Sequence, residues 1–493
     1  MSYQLLEKHF AQMHHLQHLN AICSWDQATM MPAGGNEARA EALAELAVLI
    51  HQKLTAPQVG EWLLAAAEET ELDDAQKANL NEMRRRWLNA SLLPTDLVQA
   101  RSLAGARCEH GWREQRKNND WKGFFPNLKT VVDLTREAAQ IRADALELSP
   151  YDSLIDLYEP GMTSARLLRI FNELKTWLPQ IIRIAGEKQA EKEIIQPTGP
   201  FSIPRQRALG LSVMKLLNFD FNHGRLDISA HPFCGGVAQD VRITTRYNEK
   251  EFLSSLMGII HETGHARYEQ GLPVQWGTQP VGEARSMGIH ESQSLFFEMQ
   301  LARHPAFLRK IAPLIQQHFG EDPAFAPDNL SALISQIKPG FIRVDADELT
   351  YPAHIIMRFE MEQALIEGKQ EVKDLPEIWN HKMQQYLGLT TKGNDAIGCM
   401  QDIHWTDGSF GYFPSYTLGA MYAAQFSGAI QRQHGDMTSL IESEDGLEKI
   451  FGWLRENIWQ KASLLETDPL VTEATGEPLN TLWFKRYLES RYN

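Results

Sequence analysis

Only four cysteines, Cys23, Cys108, Cys234 and Cys399, occur in 493 residues, widely separated and with no C-x-x-C pair. That scarcity argues against a disulfide framework and against a thiolate zinc site, and it fits a reducing cytoplasm. Positive charge is also in deficit. A formal net charge of −15 runs against the clustered Lys and Arg that nucleic-acid phosphates demand, so no nucleic-acid partner is expected. Long apolar runs are missing too: none approaches the ~20 residues of a membrane span, so no membrane partner is expected. Residues 1–9 lack the apolar core of a signal peptide and read as an amphipathic helix. With 43% apolar and 23% charged residues, the composition is that of a globular chain with ample length for a large core.

What is present is mostly helical periodicity. Asn36 to Leu54, Asp73 to Asn89 and Leu128 to Leu148 carry apolar residues at three- and four-residue intervals among charges, as a bundle or a lid requires. Between 187 and 204 a charged run gives way to Pro197, Gly199, Pro200 and Pro204, the best linker signal in a chain otherwise read as one unit, 1–493. Two strand signals follow, at 225–229 and 240–247, both alternating and the second rich in β-branched residues. Helices and loops fill the rest. The expected architecture is mainly α, with one small sheet directly before the segment that carries the chemistry.

That segment is His261-Glu262-Thr263-Gly264-His265. On a helix the i, i+4 spacing stacks both imidazoles on one face, where they can take two corners of a zinc tetrahedron, and Glu262 sits beside them as a base for water. Residues 251–260 lead into the motif with helical periodicity, and Gly271 followed by Pro273 supplies a stop. A catalytic metal needs a third protein ligand. No H-x-x-G-x-x-H continuation follows, which excludes the three-histidine arrangement, so a downstream carboxylate is required. Glu283, Glu291 and Glu298 all lie in the next helical stretch, Glu291 most centrally.

Six further blocks accompany the motif: Trp25-Asp-Gln-Ala-Thr-Met-Met-Pro-Ala-Gly-Gly35, His231-Pro232-Phe233, Asp240-Val-Arg242-Ile-Thr244, His290-Glu291-Ser292-Gln293, Ile342-Arg343-Val-Asp-Ala346-Asp347 and Gly398-Cys-Met-Gln401-Asp402-Ile-His404-Trp405. With them the chain resembles, over nearly its whole length, the carboxypeptidase Taq family of metallocarboxypeptidases. The resemblance implies a large helical zincin-type peptidase with a deep groove and a small sheet beside the motif helix. It implies His261, His265 and Glu291 as metal ligands and Glu262 as general base. It points to Arg343 for the substrate's terminal carboxylate, a task suited to a planar guanidinium fork; an ion pair with Asp345 or Asp347 is the structural alternative. Arg242 is the second candidate, with pairing to Asp240 as its alternative.

For the oxyanion, His404 is the expected donor. By analogy with related oligopeptidases, Tyr416 is favoured over Tyr412 as its companion. His231 either lines the groove or fixes a local turn, whereas His354 and the Trp25 block read as structural. The resemblance also implies a homodimer, with peptides bearing a free C-terminus as substrates and one divalent ion as cofactor. Zinc is expected, although the donor set also accepts cobalt or manganese. Two rivals remain at this level: an endo-oligopeptidase or dipeptidyl carboxypeptidase of the same helical class, and a non-catalytic helical protein that keeps a metal for structure.

Overall fold

The computed structural model describes residues 2–190 and 193–492, and within them twenty α-helices and one three-stranded sheet. Local chemistry explains where helices begin. The helix Asp74–Ser91 starts at a reciprocal cap, with the Gln76 amide nitrogen donating to Asp73 Oδ1 at 2.8 Å and the Asp73 nitrogen to Gln76 Oε1 at 3.0 Å. The helix expected from Leu128 begins earlier, at Trp121, because Asp120 caps it by accepting from the Gly123 nitrogen. Pro126, which interrupts the sequence pattern, lies within that helix near its start. No helix among the described residues is long and apolar enough to cross a membrane.

The sheet has the order β1 (Gly224–Ile228), β3 (Asp240–Thr245), β2 (Cys234–Val237), with β1 parallel and β2 antiparallel to β3. β1 and β3 correspond to the two expected strands. β2 is an addition: Cys-Gly-Gly-Val has no alternation to reveal it. Gly236 sits at φ +88, where a Cβ would lie 2.1 Å from the Asp240 carbonyl oxygen, so the strand pairs this closely only with glycine there.

Leu226, Val241 and Ile243 of this sheet pack with Phe219 on Ile259 and Ala266 of the helix Leu253–Gly271, which carries the His-Glu-x-x-His motif. Burying one such aliphatic side chain is worth about 1.5–3 kcal/mol, so the sheet is a firm backing for the motif helix. Glu251 caps the start of that helix, accepting from the Ser254 nitrogen at 3.0 Å. A separate small core, with Tyr3, Leu6, Phe10 and Met13 against Val59, Leu63 and Met83, organises the N-terminal helices. These dock on the rest of the chain through Arg285 and Glu82 at 2.8 Å and through Trp25, which the guanidiniums of Arg225 and Arg242 flank at 5.2 and 4.4 Å.

Glu191 and Lys192, inside the 187–204 linker segment, lie outside the described residues. The neighbouring chain is tied down: Gln189 donates to the Ile337 carbonyl, and the Ile195 nitrogen donates to Asn329. The main buried cluster draws on Ile181 and Ala185 before the segment, on Phe201 within it and on Leu209 and Val213 after it.

Candidate active site

His261 and His265 project from one face of the motif helix with ring centres 5.1 Å apart. Glu291 meets them from the next helix, Met287–Leu295, its carboxylate oxygens 3.8 Å from His261 Nε2 and 3.5 Å from His265 Nε2. The ligand atoms of these three residues all lie within 4.8 Å of one another. Tetrahedral bonds of about 2.0–2.1 Å separate neighbouring ligand atoms by roughly 3.4 Å, so the donor set fits one divalent ion with little movement.

The other imidazole nitrogens are already committed. His261 Nδ1 donates to Glu298 Oε2 at 2.8 Å, and Glu298 is in turn held by Arg303 at 2.9 Å. His265 Nδ1 lies 2.7 Å from His290 Nδ1, and His290 Nε2 lies 2.8 Å from Glu269 Oε1. With His265 Nε2 turned to the metal position, its Nδ1 carries the proton and donates to His290, which passes its own Nε2 proton into a bond with Glu269. Such backing fixes ring orientation and tautomer.

Two glycines bring Glu291 this close. A Cβ on Gly264 would lie 2.4 Å from the Gln293 carbonyl oxygen and 2.6 Å from Ser294 Cα, so the motif helix and the Glu291 helix touch backbone to backbone. On the other side Gly419, in the helix Pro414–His434, leaves room for the Glu291 side chain, which a Cβ there would meet at 2.8 Å. Gly264→Ala is therefore expected to push the two helices apart, weakening metal affinity roughly 10- to 100-fold, the range seen when the supports of metal ligands are removed. Metal titration of the variant checks this; affinity equal to the parent's would show that the contact does not set the site.

Glu262 is 8% exposed and lines the same cavity, of about 740 Å³. Burial raises its carboxyl to about 7, with His261 opposing and Glu291 adding to the rise. Around His261 the balance is reversed: burial works against its charge, but Glu298, Glu291 and Glu262 outweigh it and lift the imidazole to about 10. The site is thus anionic enough to favour a cation.

Arg343 stands in the wall of this cavity, 5% exposed. Its Nε donates to Asp402 Oδ1 at 3.0 Å and its Nη1 to the Tyr351 hydroxyl at 2.7 Å. Among the described residues Nη2 makes no hydrogen bond. The expected alternative partners, Asp345 and Asp347, are not used: Asp347 accepts from Thr350 and Leu349 instead. Asp402 also takes the fully buried Arg358, at 2.7 Å from its Nε. Two guanidiniums share one carboxylate, which leaves a positive charge at the cavity wall.

The remaining expected residues separate into those in the cavity and those outside it. Tyr412 and Tyr416 both line it, 5.3 Å apart between ring centres. Burial raises both phenols, Tyr412 to about 12, so they remain protonated donors. His404 is not in the lining. It packs on Phe413 and reaches Tyr416 across 3.4 Å from Nε2 to the hydroxyl, so its place is behind the tyrosine. Burial and Arg343 lower its imidazole to about 4, which keeps it neutral.

Arg242 lies outside as well, paired with Asp240 and stacked on Trp25; the period of two that put both side chains on one strand face accounts for this. The His231 side chain is exposed and its carbonyl accepts from Ser229, a turn-fixing contact, while Pro232 and Phe233 reach the cavity. Tyr351, the His290–Glu269 pair and Asp402 are functional neighbours that single-residue reasoning passed over. Asp402 and His290 carried a signal, their places in the Gly398–Trp405 and His290–Gln293 blocks, whereas Tyr351 and Glu269 carried none.

A second cavity, of about 540 Å³, adjoins the first and shares Cys234, Met287 and His290 with it, extending the space into a groove toward Arg85 and Arg86 of the N-terminal helices. The chain is 38% identical to thermostable carboxypeptidase 1 of Thermus thermophilus, covering all of this chain and 98% of that protein, and 34% identical to carboxypeptidase 1 of Bacillus subtilis, covering 97% and 95%. Among solved structures, metallocarboxypeptidase 1 of Trypanosoma cruzi superposes with a TM-score of 0.98 at 45% identity, covering 100% of this chain and 99% of that one. A carboxypeptidase structure from Pyrococcus furiosus superposes with a TM-score of 0.96 at 29% identity, covering 100% and 99%. A family model also matches residues 5–492, and the chain belongs to the carboxypeptidase Taq (M32) metallopeptidase family.

Proposed function

We propose that this metallocarboxypeptidase releases single amino acids from the free C-terminus of peptides, with broad side-chain tolerance. The observation that carries the reading is the sharing of Asp402 by Arg343 and Arg358, which leaves one positive charge in the wall of the cavity that holds the His261, His265 and Glu291 group. A chain-terminal carboxylate supplies the missing anion. An internal peptide bond brings no such charge, which weighs against the endo-oligopeptidase rival.

His261, His265 and Glu291 would hold the metal, read as zinc from two imidazoles and a carboxylate. When bound, the ion activates water and polarises the scissile carbonyl. Glu262 takes the proton from the attacking water and hands it to the leaving amine, a transfer suited to a carboxyl near neutrality. Tyr416, backed by neutral His404, and Tyr412 donate to the carbonyl oxygen as it gains charge. Leu295, Met299, Pro352 and Ala420 supply an apolar wall for the departing residue, and methionine adapts to varied shapes. The four cysteines are unpaired, which supports a reducing cytoplasm, and the assembly is read as a homodimer from the family resemblance.

Mass spectrometry of a peptide digest tests the reading. A ladder losing one residue at a time is expected, with a C-terminal amide nearly abolishing it. Equal cleavage of amidated and free peptides, or internal or two-residue cuts, would overturn it.

A further inference from the structure

The π-helical segment Phe296–Ala302 separates the metal-site cavity from another of about 650 Å³: Met299 lines the first and its neighbour Gln300 lines the second. The two cavities share no lining residue. In a chain with a net charge of −15, the second is walled by three guanidiniums, those of Arg309, Arg486 and Arg491, and by the hydroxyls of Ser331 and Ser490. No carboxylate lines it among the described residues.

Part of that wall is pre-built, as fixed donors whose charge Glu348 already matches. Arg491 donates to the Met299 carbonyl at 3.2 Å and pairs with Glu348 at the same distance, so its side chain needs no ordering when a ligand arrives. Arg309 reaches Glu442 at an exposed rim, where the pair is screened by water and easily exchanged. Arg486 has no ion-pair partner among the described residues. Its guanidinium lies 5.5 Å from the centre of the Trp483 ring, which also carries Arg432 at 4.8 Å. Gln300 is 4% exposed and its Nε2 has no acceptor. A buried amide donor is normally satisfied; this one is covered as the side chain stands, and a rotation of Gln300, which lines the cavity, would bring it to an oxyanion there.

The number of donors separates the candidate anions. One guanidinium fork saturates the two oxygens of a carboxylate, whereas an array of arginines, an amide and hydroxyls matches the three oxygens and double charge of a phosphate group. The volume exceeds that of a bare ion and falls within the range of small-molecule sites. We infer that this cavity is a binding site for a small phosphorylated molecule, whose phosphate lies among Arg486, Arg309 and the Gln300 amide.

Calorimetric titration of the metal-loaded protein with inorganic phosphate and with glycerol 2-phosphate, at constant ionic strength, tests the inference. Saturable binding is expected with both, and chloride should produce none. Arg486→Glu and Arg309→Glu, both surface changes, should each weaken Kd at least tenfold while leaving the melting midpoint and peptide hydrolysis as in the parent. Two variants are used so that a folding defect in one leaves the other decisive. No saturable heat in the parent overturns the assignment. Binding that both variants retain at full strength also overturns it, since the anion would then sit elsewhere, as at the metal or Arg343.

Discussion

Glu262→Gln is expected to lower turnover on the order of 10²–10⁴-fold, the usual contribution of a positioned general base, while leaving metal content unchanged. The two outcomes are separable because Glu262 lies outside the ligand group: His261, His265 and Glu291 have their ligand atoms within 4.8 Å of one another without it. The amide fills the same volume in a pocket where the carboxyl is 8% exposed, so packing against the backing sheet is preserved. What is lost is the ability to take a proton near neutral pH, an ability that burial confers by raising the group to about 7. Steady-state kinetics alongside elemental analysis checks both halves. Full turnover in the variant would remove Glu262 from the chemistry. Absence of hydrolysis in the parent protein itself would favour the non-catalytic scaffold.

How much of this was legible beforehand depended on whether the deciding contact was local. The two histidines were legible because a helical i, i+4 pair needs nothing beyond its own helix, and the periodicity from 251 onward marked that helix. Choosing among Glu283, Glu291 and Glu298 was not possible from spacing. Glu291 and Glu298 are seven residues apart, nearly the same helical face, and their roles divide because Gly264 and Gly419 let the first approach the histidines, whereas the second bonds His261 from behind. Neither glycine's role can be read without knowing which helices touch. Glu283 is removed altogether by pairing with Arg86, 197 residues away.

The same limit explains the residues expected in the cavity and found outside it. Arg242 is held by a neighbour two positions away, a contact that strand periodicity discloses and that is the alternative expected for it. His404 is the oxyanion donor expected from its block and the tyrosine-rich turn after it, and that same turn puts Tyr412 and Tyr416 between it and the cavity. β2 was invisible because two glycines carry no pattern, and its pairing is dictated by β3.

Arg343→Ala should produce the second large effect, and one with a distinctive substrate dependence. Truncating one partner of a buried, hydrogen-bonded charge pair costs about 2–5 kcal/mol, so kcat/KM for peptides with a free C-terminus should fall roughly 30- to 5000-fold. The protein without the side chain remains electrostatically sound. Asp402 keeps Arg358, whose Nε lies 2.7 Å from it, and the buried cluster passes from two guanidiniums on one carboxylate to a matched pair. Folding and metal content should therefore survive, which the melting midpoint and elemental analysis verify. Amidated peptides, which gain nothing from the guanidinium, should be hydrolysed as slowly by the variant as by the parent, so the ratio of free to amidated substrate collapses toward one. Arg343→Lys should recover only part of the loss, because an ammonium restores the charge without the planar fork. A variant slowed equally on both substrates would instead assign Arg343 to holding Tyr351 and the Asp402 loop in place, and the terminal carboxylate would need another partner.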